Sequence, residues 1–334
     1  MSEALLTPTP RPSERLYERV EHVVPHVEWA TFADDIDAIH ALKAEKNAVV
    51  LAHNYQTPEI FHGVADIVGD SLALAREAQH VDADVLVLAG VHFMAETAKL
   101  LNPEVTVLVP DLRAGCSLAE SITPQDVRRL RAENPGLPVI TYVNTSAAVK
   151  AESDICCTSG NAVEILRHVT AEWGVDKAIM IPDQYLARNI SERAGIEVVT
   201  HPGACEVHER FTPADIAEIR EGHPGVVVVA HPECPPDVVQ AADFAGSTAQ
   251  MQSYVEQTSP KRLALITECS MSDNIAAANP HVEMIRPCNM CPHMKRNTLA
   301  KIRRTLETGT FEVTLDPAVA DRARLAVDRM LAMS

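Results

Sequence analysis

No stretch of this sequence approaches the ~18 consecutive apolar residues that a membrane-spanning helix requires. A surplus of basic charge is missing too: 29 Lys and Arg stand against 46 Asp and Glu, a formal net charge of −17. That balance argues against nucleic acid or an anionic membrane as a partner, since both need a cationic surface; a small anionic substrate needs only a local positive site. The opening Met1-Ser2-Glu3 has neither the basic region nor the apolar core of a secretory signal, so a cytoplasmic location is expected. In that compartment the eight cysteines are expected as ligands, catalytic thiols or small buried residues, not as a disulfide framework. The single Cys288-Asn289-Met290-Cys291 lacks a second pair or a well-spaced His pair, so it does not complete a zinc site.

What is present is a repeat, the first thing to seek in a chain of this length. Cys116, Cys205 and Cys291 lie 89 and 86 residues apart, each after a β-like run and before a helix-like stretch. His53-Asn54-Tyr55, Tyr142-Val143-Asn144 and His231-Pro232-Glu233 close apolar runs at intervals of 89. Gly69-Asp70-Ser71, Thr158-Ser159-Gly160 and Gly246-Ser247-Thr248 recur at intervals of 88. Three motifs in one order, three times over, indicate one triplicated unit. A chain of 334 residues with 46% hydrophobic and 22% charged residues accommodates three globular units of under a hundred residues each.

Each unit reads as four short strands with intervening helices: 49–52, 65–68, 85–89 and 105–109; then 139–143, 154–157, 178–181 and 196–200; then 226–230, 241–245, 263–266 and 282–285. Amphipathic runs such as 71–80, 161–173 and 248–257 lie between them. Apolar strands alternating with helices of this length predict parallel sheets in α/β layers. The expected architecture is three repeated three-layer α/β/α domains with short parallel sheets around a pseudo-threefold axis. Residues 1–30, Pro-rich at Thr7-Pro8-Thr9-Pro10, read as an extension on the surface, with helix starting near Asp34. The repeats take 31–117, 118–206 and 207–292. Residues 293–334 form a helical segment, one helix over 292–306 and another along the tail, packing back on the first repeat.

In such sheets ligands bind beyond the carboxyl ends of the strands, and all three motif series fall there. The Gly/Ser/Thr turns suit helix N-termini. Taken singly each is a plain cap; three in register suggest sites for carboxylate or phosphate. One cysteine per unit fits a [4Fe–4S] cluster better than zinc, and three thiolates would leave one iron open as a Lewis acid. Three buried structural cysteines are the alternative. Cys156, Cys157, Cys234 and Cys269 lack the threefold pattern and are expected in the core; Cys288 could replace Cys291 as a ligand or bridge to it on oxidation. Tyr55 and Glu233 follow His53 and His231 by two residues, the spacing that returns a side chain to the same side of an extended chain, so each pair can serve acid–base steps. His208, three after Cys205, can reach the same place. Lys295 could lie near a cluster, while His201, His223, His281 and His293 read as surface or loop residues.

Eight segments together, His53-Asn54-Tyr55-Gln56, Gly69-Asp70-Ser71, Tyr142-Val143-Asn144, Cys157-Thr158-Ser159-Gly160-Asn161, Pro202-Gly203-Ala204-Cys205, His231-Pro232-Glu233-Cys234, Gly246-Ser247-Thr248 and Met290-Cys291-Pro292-His293-Met294-Lys295, resemble the quinolinate synthase family from about residue 48 to 315. That resemblance implies a [4Fe–4S] cluster on Cys116, Cys205 and Cys291 with one open iron. It implies condensation of iminoaspartate with dihydroxyacetone phosphate to quinolinate in NAD biosynthesis, losing phosphate and two waters. It further implies that His53, Ser71, Tyr142, Asn144, Ser159, His231, Glu233, Ser247 and Thr248 hold the substrates, that Tyr55, Glu233 and His231 act catalytically, and that an L-aspartate oxidase supplies the imine. Cys288 adds a C-x-x-C that not all relatives share. The competing reading is a non-catalytic small-anion binder or redox sensor, with zinc or a Cys288–Cys291 bridge.

Overall fold

Short runs of Val, Ile, Leu and Ala, too brief for helices and apolar on both faces, are what a parallel sheet covered on both sides demands. The computed structural model describes residues 10–333 and contains three such sheets. The first holds β1 (Ala48–His53), β2 (Ile67–Gly69), β3 (Val85–Ala89) and β4 (Thr106–Leu108) in the order β2-β1-β3-β4. The second repeats it with β5 (Val139–Tyr142), β6 (Ile155–Cys157), β7 (Lys177–Ile181) and β8 (Glu197–Thr200) in the order β6-β5-β7-β8. The third does so with β9 (Val227–Ala230), β10 (Phe244–Ala245), β11 (Arg262–Ile266) and β12 (Glu283–Ile285) in the order β10-β9-β11-β12. Every neighbouring pair is parallel. Helices flank the sheets, and the interior strands are buried almost throughout.

The second strand of each unit starts late, and the reason is an aspartate. Asp66, Asp154 and Asp243 each accept the backbone N–H of a first-strand residue, Val50, Val139 and Val228, at 2.8, 2.7 and 2.8 Å. Each also pairs with a cation from the helix before the first strand: Lys43 at 2.6 Å, Arg131 at 2.8 Å and Arg220 at 3.0 Å. The carboxylate occupies the edge where the second strand would otherwise begin.

Seven residues after each of Cys116, Cys205 and Cys291 a threonine, Thr123, Thr212 or Thr298, caps a helix by accepting the backbone N–H three residues on. The first two helices, Pro124–Glu133 and Pro213–Gly222, lie on the second and third sheets. The third, Leu299–Thr308, returns to the first sheet, burying Leu299, Ile302 and Leu306 with Val87, Ala89 and Leu108. The ring of units is closed by that helix. The continuous helix expected over 292–306 is instead a short 3-10 turn, Met294–Arg296, then an extended Asn297 and the Thr298 cap. The C-terminal helix Pro317–Ala332 lies on the helix Ala147–Lys150 and on β6 of the second unit as well as on the helix His92–Leu101 of the first.

Residues 1–9 of the Pro-rich opening lie outside the described residues. The rest of it is not merely superficial. A helix runs from His26 to Glu45, eight residues earlier than the sequence suggests, because Trp29 and Ala33 extend the stripe of Ile36 and Ile39 toward the N-terminus. Trp29 and Val20 are buried in the core under the first sheet, and the indole donates to the Ser13 carbonyl at 2.9 Å.

Candidate active site

The strand order puts the first and third strands of each unit side by side with their connections leaving in opposite directions, the switch point where α/β sheets bind ligands. His53 ends β1 beside Gly69, Tyr142 ends β5 beside Cys157, and His231 follows Ala230, which pairs with Ala245. These strand ends from all three units open on one cavity, lined by His53, Tyr55, Tyr142, Asn144, His231 and Glu233, with Ser71, Ser159 and Thr248 from the helix-opening turns.

Each loop that carries these groups is held by the neighbouring unit. Asn189, on the helix Gln184–Ala194 of the second unit, donates to the carbonyls of Pro232 and Cys234, both at 2.9 Å, either side of Glu233. Asn274, on Ser270–Ala278 of the third, donates to those of Asn54 and Gln56 at 3.1 and 2.8 Å, either side of Tyr55. Glu96, on His92–Leu101 of the first, accepts the Ala147 N–H at 2.9 Å below the Asn144 loop. The buried Lys150 ammonium binds the carbonyls of Val143 and Thr145, either side of Asn144.

The polar chemistry centres on Glu233. One carboxylate oxygen accepts from the Tyr142 hydroxyl at 2.6 Å and from the Asn144 amide at 3.4 Å; the other lies 2.7 Å from His208 Nδ1 and 3.8 Å from His231 Nδ1. Burial opposes ionisation, but the hydrogen bonds from His208 and from the Tyr142 hydroxyl outweigh it and hold the carboxyl below the usual carboxylate range. Burial, then the Glu233 charge, pushes the phenols of Tyr55 and Tyr142 well above the normal range. The Nδ1 atoms of His53 and His231 accept the backbone N–H of Tyr55 and Glu233, two residues on, at 3.2 and 3.3 Å. Burial lowers the pKa of His53 to about 4 and of His231 to about 3, so both rings are neutral and carry their proton on Nε2. His231 Nε2 meets Ser159 Oγ at 3.3 Å across the boundary between units.

Cys116, Cys205 and Cys291 line this cavity. Each sulfur receives the backbone N–H groups two and three residues on: Leu118 and Ala119, Val207 and His208, His293 and Met294. Even so, burial raises Cys116 to about 12, Cys291 to about 11 and Cys205 well above the ordinary thiol value. Three half-buried thiols sharing a cavity, each with paired N–H donors, form a donor set that a soft metal centre would convert to thiolates. Cys205, His208 and Glu233 also offer ligand atoms within 4.8 Å of one another.

The remaining cysteines stand apart. Cys156, Cys157 and Cys234 are buried in the core, and Cys288 is exposed and absent from the cavity lining. The Cys269 thiol is pushed to about 12 by burial and by the adjacent Cys288 thiol. Ser247 is buried with its hydroxyl accepting the Gln250 N–H at 3.3 Å as a helix cap, and is not among the lining side chains. Thr248 Oγ1 lines the cavity while accepting from Asn54 at 2.8 Å. His293, read from sequence as a surface or loop residue, sits in the turn before Met294–Arg296, lines the cavity and lies 3.0 Å from Glu206. Lys295 reaches Glu268 at 2.8 Å and the Tyr55 carbonyl at 2.9 Å. Thr267, buried between Tyr55 and His208, and the clamping Asn189 and Asn274 carry no signal inside a single motif and were not among the sequence candidates.

Comparison with known proteins adds the family. A sequence model described as Quinolinate synthetase A protein matches residues 37–332. Quinolinate synthase 2 of Mesorhizobium japonicum is 66% identical over 318 residues, 95% of this chain and 97% of that protein. The quinolinate synthase of Agrobacterium fabrum is 65% identical over 316 residues, 95% of this chain and 90% of its own. That of Xylella fastidiosa strain Temecula1 is 67% identical over 302 residues, 90% and 88% of the two chains. A family that binds a [4Fe–4S] cluster accounts for a cavity with cysteine thiols opening into it from three units. With the match spanning all three sheets and the closing helices, the chain belongs to the quinolinate synthetase A family.

Proposed function

We propose that the shared cavity is where iminoaspartate and dihydroxyacetone phosphate meet, and that Cys116, Cys205 and Cys291 hold a [4Fe–4S] cluster at its floor. The reaction is that of a quinolinate synthase: the two substrates condense to quinolinate with loss of phosphate and two waters. The observation that carries the ligand assignment is the threefold repetition of a cavity-facing thiol with N–H donors two and three residues on. A single ion at Cys205, His208 and Glu233 would leave the Cys116 and Cys291 thiols in the same cavity unused as ligands, so the cluster is the better reading. When bound by three thiolates, a cluster supplies Lewis acidity toward a hydroxyl or carbonyl oxygen through the iron that the protein leaves free.

The chain's own groups divide the rest of the work. His53, His231, Ser71, Asn144, Ser159 and Thr248 offer neutral donors, and Ser71 and Thr248 open helices whose N-termini favour anions, which suits two carboxylates and a phosphate in a protein of net charge −17. Ser247 supports this wall as a cap. Tyr55 and Glu233, on loops of different units, are placed to take and return protons as hydroxyls leave as water. The imine is a product of amino-acid oxidation, and an L-aspartate oxidase in the same compartment, the cytoplasm, is the supplier we infer. Among the described residues no helix is long and apolar enough to cross a membrane.

The test is quinolinate formation by anaerobic, iron-replete protein given dihydroxyacetone phosphate and freshly generated iminoaspartate. E233Q and Y55F are expected to lower kcat by about 10²–10⁴ without loss of iron, the range for positioned acid–base groups. H53Q and S159A are expected to raise KM. Wild-type kcat in E233Q would remove Glu233 from the chemistry.

A further inference from the structure

A cavity that takes two carboxylates and a phosphate needs positive charge, yet its wall carries the acidic residues Asp70, Glu206 and Glu233, and among the described residues that line it none is Lys or Arg. The imidazoles do not fill the gap. His53 and His231 are neutral, while His208 and His293 each face a carboxylate, Glu233 at 2.7 Å and Glu206 at 3.0 Å. Helix N-termini contribute only partial charge. A full positive charge has to come from behind the wall.

Two lysines stand there. Lys295 is spent on Glu268, 2.8 Å away. Lys150, which ends the helix Ala147–Lys150 of the second unit, is fully buried, and its Nζ meets only acceptors. These are the carbonyl of Val143 at 2.8 Å, the carbonyl of Thr145, and the face of the Phe93 ring, whose centroid is 5.5 Å away. A neutral amine would need a donor for its lone pair, and none is bonded there, so the group is an ammonium. Glu96 acts on it from beyond ion-pair distance, its carboxylate holding the Ala147 N–H at 2.9 Å. Phe93 lines the cavity, and so does Asn144, which lies between the two carbonyls along the chain; Lys150 therefore stands one residue back from the cavity. A buried ammonium without an ion pair is costly, and methionine would fill nearly the same space without that cost.

We propose that Lys150 is the fixed cation that balances the negative charge of the ligands in this cavity, acting through Phe93 and the Asn144 loop without touching the ligands itself. The anionic ligand supplies the counter-charge that the fold withholds. The ligand class this favours is a small molecule with two or more negative charges, over a monoanion of the same shape.

This rests on the reading of the cavity as the substrate site, and the experiment keeps the two apart. Calorimetric binding of quinolinate and of picolinate to anaerobic, iron-replete protein compares two carboxylates with one on the same ring. K150M removes the charge at nearly constant shape. It is expected to weaken quinolinate about tenfold and picolinate about threefold, as a loss proportional to ligand charge requires, with iron content unchanged. The loss is expected to persist at high salt, because a buried charge is screened little. K150Q, which is neutral but keeps an amide donor for the loop, is expected to follow K150M. K150R, which keeps the charge, is expected to bind both ligands within about threefold of wild type. Equal losses for the two ligands, wild-type binding in K150M or K150Q, or a K150R as weak as K150M overturns the proposal. Loss of iron or of folding in both neutral variants assigns Lys150 to holding the loop and also overturns it. Failure of the wild type to bind quinolinate removes the underlying reading of the cavity.

Discussion

His53 shows how burial turns a titratable residue into a fixed donor. Its Nδ1 is committed to a backbone N–H, and desolvation lowers its pKa to about 4, so the folded protein keeps it neutral where an unfolded chain would protonate it. As pH falls below about 6.5 the unfolded state binds the proton first. The contribution of this residue then lowers stability by up to about 1.4 kcal/mol per pH unit until the folded ring titrates near 4. H53Q is expected to flatten that part of the acid limb, read by denaturant unfolding at pH 7 and pH 5; an unchanged difference between the two would contradict a neutral His53. His53, Glu233 and Tyr142 were legible in sequence because each sits in a motif repeated at a constant interval. Thr267, His293 and Glu206 were not, because Tyr55 lies in another unit from Thr267, Glu206 in another segment from His293, and nothing in one motif marks them. Ser247 was legible as a cap: its hydroxyl accepts the Gln250 N–H of its own helix and keeps its own proton to donate.

All twelve expected strands exist, because a short apolar run buried on both faces is a strong signal in parallel sheets. Two further repeats at the same interval lay in the sequence unread: the aspartates before each second strand with their basic partners, and the threonine caps seven residues after each cavity cysteine. They bind no substrate, so a search guided by ligand chemistry passes over them. The early start of the helix His26–Glu45 was hidden by the polar residues around Trp29, and the Thr298 cap broke what looked like one helix after Pro292. Helices also act across unit boundaries. N189A removes two hydrogen bonds and leaves the Pro232 and Cys234 carbonyls unpaired, and is expected to cost about 2 kcal/mol by urea unfolding and to lower kcat, since Glu233 lies between those carbonyls. A stability loss with unchanged kcat would separate the clamp from function.

At the scale of the whole molecule, no single unit lines the whole cavity. Tyr55 comes from the first, Tyr142 and Ser159 from the second, His231 and Glu233 from the third, and the helix after Cys291 closes the ring on the first sheet. The central claim is that these units bring three cysteines to one cluster. It is tested most directly by iron and acid-labile sulfide content with the visible spectrum, on anaerobically prepared wild type beside C116A, C205A, C291A and C288A. About four irons and four sulfides per chain are expected in wild type and in C288A, whose thiol is exposed outside the cavity, with loss in each of the other three variants. One metal ion per chain in the wild type, or a cluster kept by C291A and lost by C288A, would contradict the account.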